Sequence, residues 1–324
     1  MKKLFIKFAK LLGYEIIDQN NFVSPTLNKD LNEDLSFIND KSIVLPLGEV
    51  KITKKVNSVL TIFRTNTDVE IWDQNKKRLF EKPKIEYSLR SLNSLIKSIN
   101  FSKKKYPNII FKIIIVDDKS KEDNLDKIKK LIDNSSLDIS VTPLNHEKYK
   151  DIIKQQKNDQ TFSNLASLLQ SFELGKENGQ DLVFFVEDDY LHFEFMMEEM
   201  IASFERIASQ FNKDIFMCPA DYPYLYMNNE KTNILIGNKR HWRTINQTLC
   251  TFLTTSSLLK KYWDNFYNTC LDRNDPFEKY INEIYKKEFC ISPLKSLSLH
   301  LTNVNSSYGL SPFIDYKKIW DENK

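Results

Sequence analysis

Asp181-Leu182-Val183-Phe184-Phe185-Val186-Glu187-Asp188-Asp189-Tyr190 is a run of apolar, mostly β-favouring residues that ends in three consecutive acids. A continuous apolar run of this length suits a strand buried on both faces, because a half-exposed strand alternates. Three carboxylates at the mouth of such a strand repel one another and lose hydration. A divalent cation relieves both problems, since hard ions prefer oxygen ligands. The alternative is a solvated cap on a following helix, where acids are favoured. A cap accounts for one or two of the acids but not for a whole acidic rim.

Upstream, the pattern alternates between strand and helix. Ser58-Val59-Leu60-Thr61-Ile62-Phe63 reads as a first buried strand, ending in polar Arg64-Thr65-Asn66-Thr67-Asp68. Residues 86–99 are amphipathic with helical spacing. Ile109-Ile110-Phe111-Lys112-Ile113-Ile114-Ile115-Val116 is a second strand, and it stops at Asp117-Asp118-Lys119-Ser120. Helices are expected over 122–134 and 159–178, with a short strand at 137–141 between them. This order predicts an α/β fold with a Rossmann-like, mostly parallel sheet flanked by helices. Ligands of such sheets bind beyond the carboxyl ends of the strands, where three polar clusters are expected on one rim.

Downstream the pattern becomes mixed. A helix over 192–211, a short strand at 215–218 and an aromatic loop, Tyr222-Pro223-Tyr224-Leu225-Tyr226, come first. Strand-like 249–253, helices over 256–266 and 277–287, and Leu297-Ser298-Leu299-His300-Leu301 follow. The expected organisation is a helix at 1–17, a linker or surface wrap at 18–56 and one domain at 57–324, with its two halves at 57–190 and 191–324.

Composition narrows the chemistry. The 324 residues include only six glycines, at 13, 48, 175, 179, 237 and 309. Neither G-x-G-x-x-G nor G-x-x-x-x-G-K-[ST] is present, which disfavours a dinucleotide site and a Walker loop. A phosphorylated ligand then needs its charge neutralised by other means, and an ion at Glu187-Asp188-Asp189 would do so. The net charge is +3 against 47 basic and 44 acidic residues, so no nucleic-acid partner is implied. Cys218, Cys250, Cys270 and Cys290 are scattered, without zinc spacing, and fit a reducing, cytoplasmic setting. Residues 1–14 put Lys3, Lys7 and Lys10 on one helical face and Leu4, Phe5, Phe8, Leu11 and Leu12 on the other. Such a helix either lies peripherally on the inner face of a membrane or packs on the chain itself or a partner.

Taken in order, these motifs resemble the GT-A nucleotide-sugar glycosyltransferases, particularly the family-2-like branch. The resemblance rests on Val59 to Phe63 followed by Arg64-Thr65, and on Val116-Asp117-Asp118-Lys119-Ser120, close to V-D-D-x-S. It rests also on Ser163-Asn164 before the acidic strand, where the family often has Arg-Asn, and on Glu187-Asp188-Asp189 at the D-x-D position. It implies a metal-dependent transfer of a hexosyl-type sugar from a nucleoside-diphosphate sugar to a glycan or lipid-linked acceptor. The setting implied is bacterial-type surface polysaccharide or glycoconjugate synthesis. It further implies Mn²⁺ or Mg²⁺ held by Asp189, with Glu187 ligating through water or touching the ribose. Asp117 and Asp118 are implied as base and ribose contacts, and Arg64, Thr65, Asn164 and Asp188 as donor-site residues. Asp117 and Asp118 also read as a plain helix start, with Ser120 and Asp123 as a capping box variant.

His300 corresponds to a returning C-terminal metal ligand, or else is a hydrogen-bonded core histidine. Inversion of configuration is the expected outcome, with the base among Asp272, Asp275 and Glu278, and Asp275 preferred. Asn274-Asp275-Pro276 also reads as a helix start. His192 is expected on the helix after the acids, His146 on the surface, and Trp242, Tyr222, Tyr224 and Tyr226 as sugar-stacking or core aromatics. Two other readings compete: a nucleotidyltransferase of related fold, and a non-catalytic carbohydrate-binding protein. The glycine-free Arg64-Thr65-Asn66 argues against the first.

Overall fold

The computed structural model describes residues 2–14, 16, 39, 41–44, 48–69, 78–156, 158–227, 231–302 and 310–324. Most of the expected wrap over 18–56 lies outside them. The chain runs through α1 (Lys2–Leu11), β1 (Lys41–Val44), β2 (Gly48–Lys51), β3 (Ser58–Thr65), α2 (Lys84–Lys105), β4 (Ile110–Asp117), α3 (Glu122–Asp133), β5 (Asp138–Pro143), α4 (His146–Tyr149), α5 (Asp159–Asn178) and β6 (Leu182–Glu187). It continues through β7 (Tyr190–His192), α6 (Met196–Phe211), β8 (Phe216–Met217), β9 (Ile234–Ile236), β10 (His241–Ile245), β11 (Phe252–Thr255), α7 (Ser256–Lys261), α8 (Trp263–Leu271), α9 (Lys279–Ile284), β12 (Cys290–Pro293), β13 (Ser298–His300) and α10 (Tyr316–Asp321).

One sheet of nine strands takes the order β5-β4-β3-β6-β11-β8-β12-β10-β9. Strands β5, β4, β3 and β6 are mutually parallel. Strand β11 then runs antiparallel to β6, and the remainder is mixed. The architecture is therefore the expected α/β one, parallel in its first half and mixed in its second. The chain leaves β3 for β4 and β5, then returns to β6 on the other side of β3. That reversal opens a crevice at the carboxyl ends of these strands.

The apolar run at 182–186 is buried on both faces because alternate residues enter different cores. Leu182, Phe184 and Val186 pack with Leu92, Leu95 and Ile96 of α2 and Met200 and Phe204 of α6. Val183 and Phe185 pack with Leu165, Leu169 and Phe172 of α5 and Phe266 of α8. Gly175 lets α5 lie close on this strand: a Cβ there would stand 2.8 Å from Phe185 Cζ and 3.0 Å from Val183 Cγ1. Gly175→Ala is expected to overpack this contact and lower stability by about 1–3 kcal/mol, read as a lower urea midpoint at unchanged slope.

The segment entering β3 is strapped to α6. Glu205 Oε1 accepts the Val56 N–H at 2.8 Å, and Ser209 Oγ accepts the Thr53 and Lys54 N–H groups at 2.9 Å each. Burial raises the Glu205 carboxyl to about 7, against the opposing pull of the Asn39 and Val56 N–H groups.

Several sequence expectations shift here. His192 lies in β7, not on a helix, and the helix begins at Met196. It pairs with Ser298 in the β7/β13 ribbon, which buries it. The strand expected at 249–253 is displaced to Phe252–Thr255, because Leu249 and Cys250 line the cleft. The four cysteines are buried free thiols. Trp242 and Tyr222 are core residues. Among the described residues, no helix is long and apolar enough to cross a membrane.

Candidate functional site

Beyond the ends of β3 and β6 lies a cleft of about 1510 Å³, with residues of the α8–α9 connection on its wall. Register explains why its acids converge. Arg64 pairs with Val116 on one side and Glu187 on the other, while Thr65 pairs with Asp117. Polar residues at the ends of parallel strands are thereby lined up on one rim.

Arg64 is fixed by four contacts. Its Nη1 donates to Asn164 Oδ1 at 2.8 Å, to the Asn164 carbonyl at 3.2 Å and to Ser167 Oγ at 3.2 Å; its Nη2 donates to Glu187 Oε1 at 2.6 Å. Asn164 thus orients the arginine from α5, and Glu187 is half of an ion pair. Both line the cleft.

Asp188 lines the cleft, and both of its carboxylate oxygens are engaged within the protein. Oδ2 accepts from Thr65 Oγ1 and from Ser88 Oγ, each at 2.6 Å, while Oδ1 takes the Lys84 ammonium. Lys84 and Asp188 side chains are each only 9% exposed. Asp188, in the turn just after β6, faces Lys84 and Ser88 of α2. Its polar capacity goes into tying α2 to β3 and β6. Asp188→Ala is expected to lower stability by about 3–5 kcal/mol, because it leaves the Lys84 charge buried and unpaired. Chemical denaturation measures this directly.

At the end of β4 the two aspartates separate. Asp117 is buried below the rim, where its Oδ2 accepts the Ser120 N–H at 3.2 Å. Burial raises its pKa, and the neighbouring Asp118 and Asp188 charges add to that against the Ser120 hydrogen bonds. Asp117 therefore caps the turn into α3, whereas Asp118 lines the cleft. Asp118 Oδ1 meets His146 Nε2 at 2.7 Å, and Oδ2 accepts from Asn66 Nδ2 at 3.2 Å. His146 was expected on the surface. It is instead brought to Asp118 by the short helix α4 after β5, and no local sequence signal announces that contact.

The β7/β13 ribbon explains the return of His300. His300 pairs with Tyr190, and the Leu301 N–H donates to the Asp189 carbonyl at 2.9 Å. The imidazole stacks on Tyr190 with ring centroids 4.6 Å apart. Its Nε2 stands 3.3 Å from Asp189 Oδ2, which also accepts from Thr302 Oγ1. Burial on its own would raise the Asp189 pKa; His300, Lys84 and Thr302 outweigh it and hold the carboxyl below the usual range. Burial likewise lowers His300, but Asp189 and Glu187 raise it further, above its ordinary value.

This pair fits a divalent ion. Among the described residues, Asp189 Oδ1 is a buried acceptor with no hydrogen-bond partner. The 3.3 Å Nε2–Oδ2 spacing is near the separation of about 3 Å between adjacent ligands on an ion with bonds of about 2.1 Å. The expected three-residue set with Glu187 is not assembled. Among the described residues no cluster of three or more His, Cys, Asp or Glu side chains has that arrangement, since Glu187 is turned to Arg64.

The three C-terminal acids differ in environment. Asp272 accepts from Lys154 Nζ at 3.1 Å and Gln156 Nε2 at 3.3 Å, contacts that lower its pKa near the surface. Asp275 is exposed at the cleft margin. Glu278 is buried in the cleft wall, where Cys250 Sγ donates to its Oε1 at 3.7 Å. Burial pushes the Glu278 carboxyl up to about 7; the nearby Glu187 charge adds to this and Arg64 opposes it.

No family model and no curated protein matches the chain. Among solved structures it is similar to S. aureus TarS 1-349 in complex with UDP, at 15% identity over 66% of this chain and 55% of that one, with a TM-score of 0.36. It is similar to the galactosyltransferase LgtC in complex with donor and acceptor sugar analogs, at 10% identity over 70% of each chain and a TM-score of 0.34. It is also similar to UDP-glucose pyrophosphorylase complexed with UDP-glucose, at 9% identity over 76% of this chain and 93% of that one, with a TM-score of 0.38. The chain spans about half of TarS 1-349, 48% in one alignment. Similarities at this level carry no functional argument, so the functional reading rests on the cleft itself.

Proposed function

We propose that the chain is a metal-dependent glycosyltransferase that moves a sugar from a nucleoside-diphosphate sugar to a glycan or lipid-linked acceptor. The observation that carries this reading is the convergence on the lining of one cleft of an Asp189–His300 pair that keeps an unpartnered Asp189 oxygen, a fixed Arg64, Asp118 and a buried Glu278. Asp189 and His300 would hold Mn²⁺ or Mg²⁺, which keeps few protein ligands and completes its shell with water and substrate phosphate. When bound, the ion supplies Lewis-acid neutralisation of the diphosphate leaving group. Arg64, immobilised by Asn164, Ser167 and Glu187, presents fixed positive charge to the same region at no cost of reorganisation. Asp118, oriented by His146 and Asn66, accepts hydrogen bonds from the nucleoside.

Glu278 is the proposed base. An inverting transfer needs a group that takes the acceptor hydroxyl proton, and a carboxyl titrating near neutrality is suited to that work. It replaces Asp275 as the preferred candidate, because an exposed carboxylate in water is a weaker base than a desolvated one.

A thermal-shift screen of nucleotide sugars with and without Mn²⁺ tests the donor site, because a ligand that binds only the folded chain raises its melting temperature. A shift that needs both metal and nucleotide sugar, followed by release of the nucleoside diphosphate, is expected. Release of pyrophosphate would instead identify a nucleotidyltransferase. Binding without turnover across acceptors would identify a carbohydrate-binding protein.

A further inference from the structure

The sequence left two destinations for the apolar face of the N-terminal helix, and among the described residues that face is exposed. Leu4, Phe5, Phe8, Leu11 and Leu12 are between 59% (Leu12) and 84% (Leu11) exposed. Leu4, Phe5, Phe8 and Leu11 occupy a single arc of α1 at helical spacing, and Leu12 follows in the turn that closes it. The helix is closed off rather than frayed: Gly13, at φ +82°, permits the Gly13 N–H to Lys10 and the Tyr14 N–H to Ala9. That is the two-bond Schellman cap, for which glycine is favoured. Exposed Tyr14 extends the apolar surface by one more aromatic ring.

Charge selects the occupant. Residues 1–14 carry Lys2, Lys3, Lys7 and Lys10 and no acid. Lys7 and Lys10 are solvent-exposed. A second copy docking face to face would bring like charges together without a counter-charge. An anionic lipid surface supplies both an apolar layer for the five side chains and negative headgroups within reach of flexible lysines. We infer that α1 is an interfacial helix that seats this chain on an anionic membrane surface, with Leu4, Phe5, Phe8, Leu11 and Leu12 in the acyl–headgroup boundary. The inference is independent of the reading of the cleft.

Vesicle sedimentation of the full chain tests it, using phosphatidylcholine vesicles with and without phosphatidylglycerol. The wild-type chain is expected to pellet with the phosphatidylglycerol vesicles, to do so less as salt rises, and to remain in solution with phosphatidylcholine alone. Lys7→Gln with Lys10→Gln is expected to weaken binding roughly twenty-five-fold, at about fivefold per basic residue near the surface. Phe5→Ser with Phe8→Ser is expected to lower it roughly a hundredfold or more, given the apolar area lost from each ring. Both double variants are expected to melt at the wild-type temperature, because the altered side chains are solvent-exposed in the folded chain. Wild-type chain that stays in solution with anionic vesicles would overturn the inference. So would undiminished binding by the Phe variant, or equal binding to both vesicle types. Light scattering that shows a dimer which the Phe variant dissolves, with no vesicle binding, would assign the face to self-association and overturn it as well.

Discussion

Asp189→Ala protein is expected to release nucleoside diphosphate at least about a thousandfold more slowly than wild type at saturating Mn²⁺. A Lewis-acid ion supplies several kcal/mol of charge stabilisation at a departing diphosphate, and each increment of about 1.4 kcal/mol is tenfold in rate. Asp189 is the acid of the strand end whose carboxylate meets His300 and keeps an unpartnered oxygen. Its neighbours Glu187 and Asp188 are engaged by Arg64 and Lys84, so neither substitutes for it. The rate is read as released diphosphate across a Mn²⁺ titration, with the melting temperature recorded in parallel. Chelation of the wild-type chain with EDTA is expected to reproduce the loss, and added metal to reverse it. Full activity of Asp189→Ala in the presence of EDTA would sink the metal assignment.

Glu278→Gln is expected to lower kcat by about 10²–10⁴, the usual contribution of a positioned base, while leaving the donor-induced thermal shift intact. Wild-type kcat should rise with pH and level off above about 7, because the working form is the carboxylate and burial has raised its pKa to about 7. The glutamine variant should lack that titration. Stability moves with the opposite sign. A carboxyl whose folded pKa is raised binds protons in the folded state that the unfolded chain has already released. Glu278 therefore erodes stability as pH rises from its ordinary value of 4.5 towards 7, and Glu278→Gln should flatten that part of the profile. Unchanged kcat in the glutamine variant would return Asp275 to consideration.

Strand 182–186 was legible because burial on two faces writes itself as unbroken apolar residues, and 109–116 because only Lys112 interrupts an otherwise apolar, isoleucine-rich run. The parallel order followed from strand–helix alternation. The separate fates of the three acids were not legible: Glu187 ends β6, Asp188 and Asp189 lie in the turn after it, and the partner of each comes from a distant segment. Asp117 and Asp118 divide in the same way, one capping a turn and one facing the cleft. What also had no local signal was the contact of His146 with Asp118, and the ranking of Glu278 over Asp275 by burial.

The sequence by itself determined a buried acidic strand end in an α/β sheet and a basic amphipathic helix at 1–14. Only the tertiary structure decided which carboxylates stay unpaired. Lys84 arrives from α2, Arg64 from β3 and His300 from β13, across separations of up to 123 residues from the acids they meet, and Glu278 is brought to the cleft wall beside α9. A carboxylate's chemistry depends on its solvation and on the charges within a few ångströms, and those are set by packing between distant segments.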